Sequence, residues 1–133
     1  MEDETLAALV SDLGDAVVIC DPQGVVVFWN DAATTLFGWP ADEAIGRSLD
    51  VIIPARLRAR HWEGYRRVMK SGRTGYAGRT LEVPARHRDG HTISIAFTLT
   101  LVTRPGEQTP RGIAAVIRDD TERWQGRRNI KAP

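Results

Sequence analysis

The chain has 133 residues, 18 Lys and Arg against 17 Asp and Glu, and 42% hydrophobic residues. That length suits one domain with a real core, and the formal charge of +1 gives no global pull toward nucleic acid or an anionic membrane. No apolar run approaches the ~18 residues of a membrane span, and the acidic start Met1-Glu2-Asp3-Glu4 is unlike a signal peptide. A cytoplasmic setting is expected. Cys20 is the only cysteine, which excludes an internal disulfide and a cysteine metal site, and its apolar surroundings predict a buried, inert thiol.

Glu4 to Leu13 places Leu6, Leu9, Val10 and Leu13 at helical spacing behind acidic residues, then stops at Gly14. A helix this short must dock its apolar side on the domain or on a partner chain. Asp15 to Cys20 and Val25 to Trp29 are β-branched runs joined by the turn Asp21-Pro22-Gln23-Gly24, a hairpin. Asn30 can cap a helix over Asp31 to Phe37 that ends at Gly38. Pro40 to Ile45 predicts another helical turn, closed by Gly46, and Val51 to Pro54 a buried connector.

Ala55 to Ser71 predicts the longest helix. A period of 3.6 puts Leu57, His61, Tyr65, Val68 and Met69 on one side and most of the arginines elsewhere, on a solvated face. His61 thus stands inside an apolar stripe, where an imidazole needs a hydrogen bond, a water or a metal. Trp62 lies about 100° around the same helix and is expected to meet another element or a partner chain.

Beyond Gly72 the pattern changes to strands. Leu81 to His87 and Thr92 to Leu101 flank the turn Arg88-Asp89-Gly90, with His87 and His91 expected as exposed hairpin residues. In the second of these strands Ile93, Ile95, Phe97, Leu99 and Leu101 alternate with Thr92, Ser94, Ala96, Thr98 and Thr100. Arg104 to Pro110 is a polar loop and Ile113 to Ile117 a last strand. Asp119-Asp120-Thr121 then leads to a closing helix with Trp124. Trp29 and Trp39 are expected to be packing residues. The element order predicts an α+β fold, an antiparallel sheet with helices on one face.

Several spaced segments resemble a PAS domain: Asp15 to Asp21, Gly24 to Asn30, Ala33 to Gly38, Ile45-Gly46, Ile53-Pro54, Arg88-Asp89-Gly90 and Arg118 to Glu122. The resemblance covers roughly residues 6 to 124. It implies a five-stranded antiparallel sheet with short helices and one longer helix on one face, flanked by terminal helices. The corresponding division is 1–14 for an N-terminal cap helix, 15–119 for the core and 120–133 for a C-terminal helix or linker. It also implies a sensory or interaction module that signals through its terminal helices.

From His61 to Gly90 the chain is similar, without a gap, to the haem-binding PAS domains of FixL-type oxygen sensors. That similarity implies b-type haem with His61 as the proximal iron ligand and Arg67 at a propionate-contacting position. It sets Tyr76, Phe97 and Leu99 over the distal face, and it gives Leu57, Tyr65, Leu81 and Ile117 as further pocket residues. Gly75 stands where that pattern has a second propionate-binding histidine, and Leu81 where it has the arginine that hydrogen-bonds bound oxygen. Arg79, two residues before Leu81, would share its face on a strand and could serve instead, or could pair with a propionate.

Two functions stay open. One is a haem sensor of a diatomic gas (oxygen, carbon monoxide or nitric oxide). The other is a haem-free module that dimerises or docks a partner through its terminal helices and outer sheet face, its pocket either filled by Tyr65, Tyr76 and Phe97 or taking another small molecule to regulate a linked kinase or cyclase. A photosensory flavin site would need a reactive cysteine on the short helices, whereas Cys20 is on the first strand. With no phosphate loop, no nucleophile beside a base and no paired carboxylates in a cleft, enzymatic activity is not expected.

Overall fold

A computed structural model describes residues 2–76 and 78–122. The sheet forms because five segments supply apolar side chains at every second position, and the order β2-β1-β5-β4-β3 is antiparallel throughout. The strands are β1 (Ala16–Cys20), β2 (Val26–Trp29), β3 (Leu81–Arg86), β4 (Thr92–Val102) and β5 (Gly112–Asp119). The last is longer than its apolar run suggested, because Arg118 and Asp119 continue the ladder opposite Ala96 and Ile95.

Register sets one apolar face. Phe97 lies opposite both Leu81 and Ile117, Leu99 opposite Ala115, and Leu101 opposite Ile113. Across β1, Ile117, Ala115 and Ile113 face Ala16, Val18 and Cys20. Those residues form the core together with Trp29, Phe37, Ile52, Ile53 and Tyr65.

The helices cover this face. They are α1 (Asp3–Ser11), α2 (Asp31–Phe37), α3 (Ala41–Ala44) and α4 (Arg58–Ser71). Only α1 stands apart, with none of its residues buried. The predicted helix from Ala55 is interrupted: Ala55–Leu57 is a 3-10 turn, and Leu57 N-caps α4 without a side-chain bond. The cause is Pro54, whose carbonyl accepts from the Leu57 N–H at 2.9 Å and closes a tighter turn first. Gly72, at φ +70°, ends α4 by donating to the Val68 carbonyl.

Asn30 joins three elements. Its Oδ1 accepts from the backbone N–H of Val17 (2.9 Å) and of Ala33 (3.1 Å), the second being the α2 cap. Its Nδ2 donates to the carbonyls of Val10 (3.1 Å) and Asp15 (3.0 Å), mooring the end of α1 to the start of β1. At the other end of the core, Asp120 and Thr121 bond Ser94, so the exit from β5 is pinned to β4. The closing helix expected around Trp124 lies outside the described residues.

Candidate functional site

α4 lies across the turn between β1 and β2. The Trp62 ring covers Gly24, where a Cβ would lie 2.0 Å from the indole, and at φ +84° only glycine is at ease. Trp62 Nε1 donates to Asp50 Oδ1 at 2.6 Å, and the Tyr65 hydroxyl donates to the Asp21 carbonyl at 2.5 Å. Trp62 therefore meets another element of its own domain. Burial raises the Tyr65 phenol well above its ordinary value, with Cys20 and Asp21 adding to the effect.

His61 comes next on the same face. Its ring meets Trp62 edge-on at 4.6 Å between centroids and lies tilted against Tyr65 at 5.9 Å. Its Nδ1 is buried and has no hydrogen-bond partner. An unmet polar atom of that kind costs about 1–3 kcal/mol. Burial holds the imidazole below its ordinary value of 6.5, against a smaller opposing pull from the Asp50 carboxylate. The ring is consequently neutral at pH 7, the form that ligates a metal.

The apolar cluster that α4 joins is incompletely covered. Leu81, Phe97, Leu99 and Leu101 are half-buried, as are Leu57, Val68 and Met69, while Ile117, opposite Phe97 on the neighbouring strand, is buried. A half-buried imidazole whose Nδ1 is unpartnered, on a helix that shares an apolar cluster with half-covered strand residues, has the donor chemistry for a hydrophobic cofactor held by one histidine. A cavity of about 360 Å³ lies elsewhere, among Trp39, Asp50, Arg58, Arg86 and His87, and is not lined by His61. A smaller one of about 40 Å³ lies beside Thr80, Phe97 and Arg118.

Other expected pocket residues stand outside this group. Tyr76 is 47% exposed, so it does not fill a pocket in the way one form of the haem-free alternative expected. Its backbone is in a turn that precedes β3 rather than in a strand. Arg79 is exposed in that turn, donating its N–H to the Tyr76 carbonyl, and so does not share a strand face with Leu81. Arg67 is exposed and paired with Glu63 at 3.2 Å, one helical turn away. Tyr65 is anchored at the hairpin, its hydroxyl already engaged.

His87 is also less exposed than expected. Its ring lies against Gly38, where a Cβ would be 2.5 Å from Cε1, because the Arg88 N–H donates to the Phe37 carbonyl and draws the β3–β4 turn onto the end of α2. Trp62 and Asp50 were missed as parts of the site. Helical position marked Trp62 as facing a different element, but the Asp50 partnership depends on a fold-back over 12 residues that no local pattern carries.

Residues 4–119 match the family model described as the PAS fold. The chain belongs to the PAS family. It is 28% identical over 120 residues to the sensor protein FixL of Bradyrhizobium diazoefficiens, covering 90% of this chain and 23% of that protein. It is 33% identical over 100 residues to the oxygen sensor protein DosP of Escherichia coli K12, covering 75% of this chain and 12% of that protein. The chain thus spans less than a quarter of the curated relatives it matches. The crystal structure of a PAS domain from Colwellia psychrerythraea superimposes with a TM-score of 0.76 at 23% identity, over 90% of this chain and 97% of that one, and so shares the fold. Among the described residues no helix of this PAS domain is long and apolar enough to cross a membrane.

Proposed function

We propose that this PAS domain is a cytoplasmic sensor that holds b-type haem on His61 in the groove between α4 and the sheet and detects a diatomic gas. The observation that carries the proposal is the buried, unpartnered His61 Nδ1 on a helix whose Tyr65, Val68 and Met69 share one apolar cluster with half-covered Phe97 and Leu99. The resemblance of the His61 to Gly90 stretch to the FixL-type pattern supports it, as does the similarity to the oxygen sensor protein DosP.

When bound, haem supplies an iron able to take oxygen, carbon monoxide or nitric oxide. His61, kept neutral by burial, would hold that iron. Leu57, Phe97, Leu99 and Ile117 would exclude water from the groove. Arg67 would exchange Glu63 for a propionate, since a guanidinium pairs well with either carboxylate. Leu81 offers no hydrogen-bond donor, so gas selectivity would rest on whether Arg79 reaches the pocket from the loop before β3. The signal would shift β4 and β5 and bias the terminal segments toward one arrangement, with a linked effector such as a histidine kinase reading it.

The test is the absorption spectrum of the chain reconstituted with haem. A Soret band that His61→Ala abolishes is the expected result. A chain that stays colourless, or keeps its band in His61→Ala, removes the proposal.

A second reading is favoured by the exposed Leu6 and Leu9 of α1 and Leu13 just after it, together with Val116 on the outer sheet face, each more than 40% exposed. These would pair two copies of the domain. Size-exclusion chromatography of Leu9→Glu against the parent decides it: a shift from dimer to monomer supports pairing, and an unchanged elution overturns it. Both readings hold together if the sensor is a dimer.

A further inference from the structure

The β3–β4 turn His87-Arg88-Asp89-Gly90-His91 places alternate residues, His-x-Asp-x-His, at the tip of a hairpin. The His87 N–H donates to the His91 carbonyl at 2.9 Å, so the two histidines stand opposite one another across the ladder and project from the same side. Their rings stack with centroids 4.6 Å apart and planes 21° from parallel. Asp89 folds back between them, its Oδ1 accepting the His91 N–H at 3.0 Å. His87 Nδ1 accepts the Asp89 N–H at 3.1 Å, a bond an ion would have to displace, and lies 3.2 Å from that same oxygen; His91 Nδ1 is in hydrogen-bond contact with it. Two ring nitrogens and one carboxylate oxygen thus lie within 4.8 Å of one another, which no other three such residues achieve among the described residues.

We propose that this turn is a binding site for an exchangeable first-row transition-metal ion of the zinc or nickel class, with His87, Asp89 and His91 as its three protein ligands. Imidazole and carboxylate are the donors such ions prefer, and three ligands leave open positions for water, as in exchangeable rather than closed structural sites. The neighbouring charges are compatible. Arg88 is turned away, paired with Glu43 at 2.6 Å and stacked over Trp39 at 4.7 Å. Arg86, whose guanidinium lies beside Gly90, and Arg58, which lines a cavity with His87, are opposing charges near the turn.

The turn is also connected to the rest of the domain. His87 rests on Gly38, and Arg88 bonds both the Phe37 carbonyl and Glu43 of the α3 segment. An ion clamping the two histidines would lock the hairpin tip against the corner between α2 and α3. The proposal is independent of haem, because none of its ligands belongs to the groove beside α4.

The experiment is calorimetric titration of the untagged chain, stripped with a chelator, with zinc chloride in a non-coordinating buffer, alongside proton NMR of the histidine rings. One ion per chain is expected, with the His87 and His91 resonances shifting and that of His61 unmoved. His91→Gln and Asp89→Asn, both at exposed positions, should each weaken binding at least tenfold, while His61→Ala leaves it unchanged. Circular dichroism verifies the fold of each variant. Absence of binding at millimolar zinc, unchanged binding in His87→Ala/His91→Ala, or loss of binding in His61→Ala would each overturn the proposal.

Discussion

The hydroxyl of Tyr65 is bonded to the main-chain carbonyl of Asp21, 44 residues earlier in the chain. This contact fastens the middle of the longest helix to the first hairpin, beside the indole of Trp62 over Gly24. It sets the position of α4, and with it the height at which His61 stands relative to the sheet. Tyr65→Phe removes the donor and leaves the Asp21 carbonyl with the Gly24 N–H (2.9 Å) as its remaining partner, at a cost of about 1 kcal/mol. Urea denaturation should show that loss as a lower midpoint with an unchanged slope; a stability equal to the parent's would mean the bond is replaced by water.

Asn30 should be the most sensitive polar position. It is 2% exposed and engages four backbone groups in α1, β1 and α2. Asn30→Ala strands several of them and also removes a helix cap, so a loss of about 2–4 kcal/mol is expected. Asn30→Asp keeps the two acceptor bonds and loses the two donor bonds. It should therefore fall between, with faster amide hydrogen exchange confined to α1 and the start of β1.

The depressed His61 imidazole makes a pH prediction whose sign is definite. Folding holds this group below 6.5, so around that pH the unfolded chain binds more protons than the folded one. The contribution to stability is complete above the unfolded value and is lost as the pH falls below it, until the folded ring also titrates. In the haem-free chain, His61→Leu should flatten the fall in stability between about pH 7 and pH 5. Thermal melts across that range provide the measurement, and an unaltered slope would place the titrating group elsewhere.

Cys20 should be silent toward thiol reagents. Burial, and secondarily the Asp21 charge, pushes its thiol up to about 12, so almost no thiolate exists at pH 8. The expected result is labelling by a disulfide reagent only in denaturant, at the rate of global unfolding. Rapid reaction of the native chain would show that the β1–β2 end opens locally.

Most of the architecture was legible because the signals were local. Alternation in Ile93 to Leu101 marked the inner face of β4, Asn30 announced the start of α2, and the Asp89-Gly90 pair announced the hairpin. The break at Leu57 was not, since periodicity carries through a 3-10 turn while the hydrogen bond to Pro54 does not. Within the site, helical spacing found His61, Tyr65 and Met69. It had no access to the path of the loop before β3, so it gave no sign that Tyr76 and Arg79 would stand exposed there. The bonds of Tyr65 to Asp21 and of Trp62 to Asp50 are long-range and appear only when the chain folds back.

Ala16 lies directly across from Ile117. The strand that opens the domain and the strand that closes it are therefore side-by-side neighbours in the middle of the sheet, and they run in opposite directions. Sliding one past the other would draw one flanking segment inward while paying the other out. A slight shear there would reach both flanks in a single movement, like the two ends of a cord over a pulley.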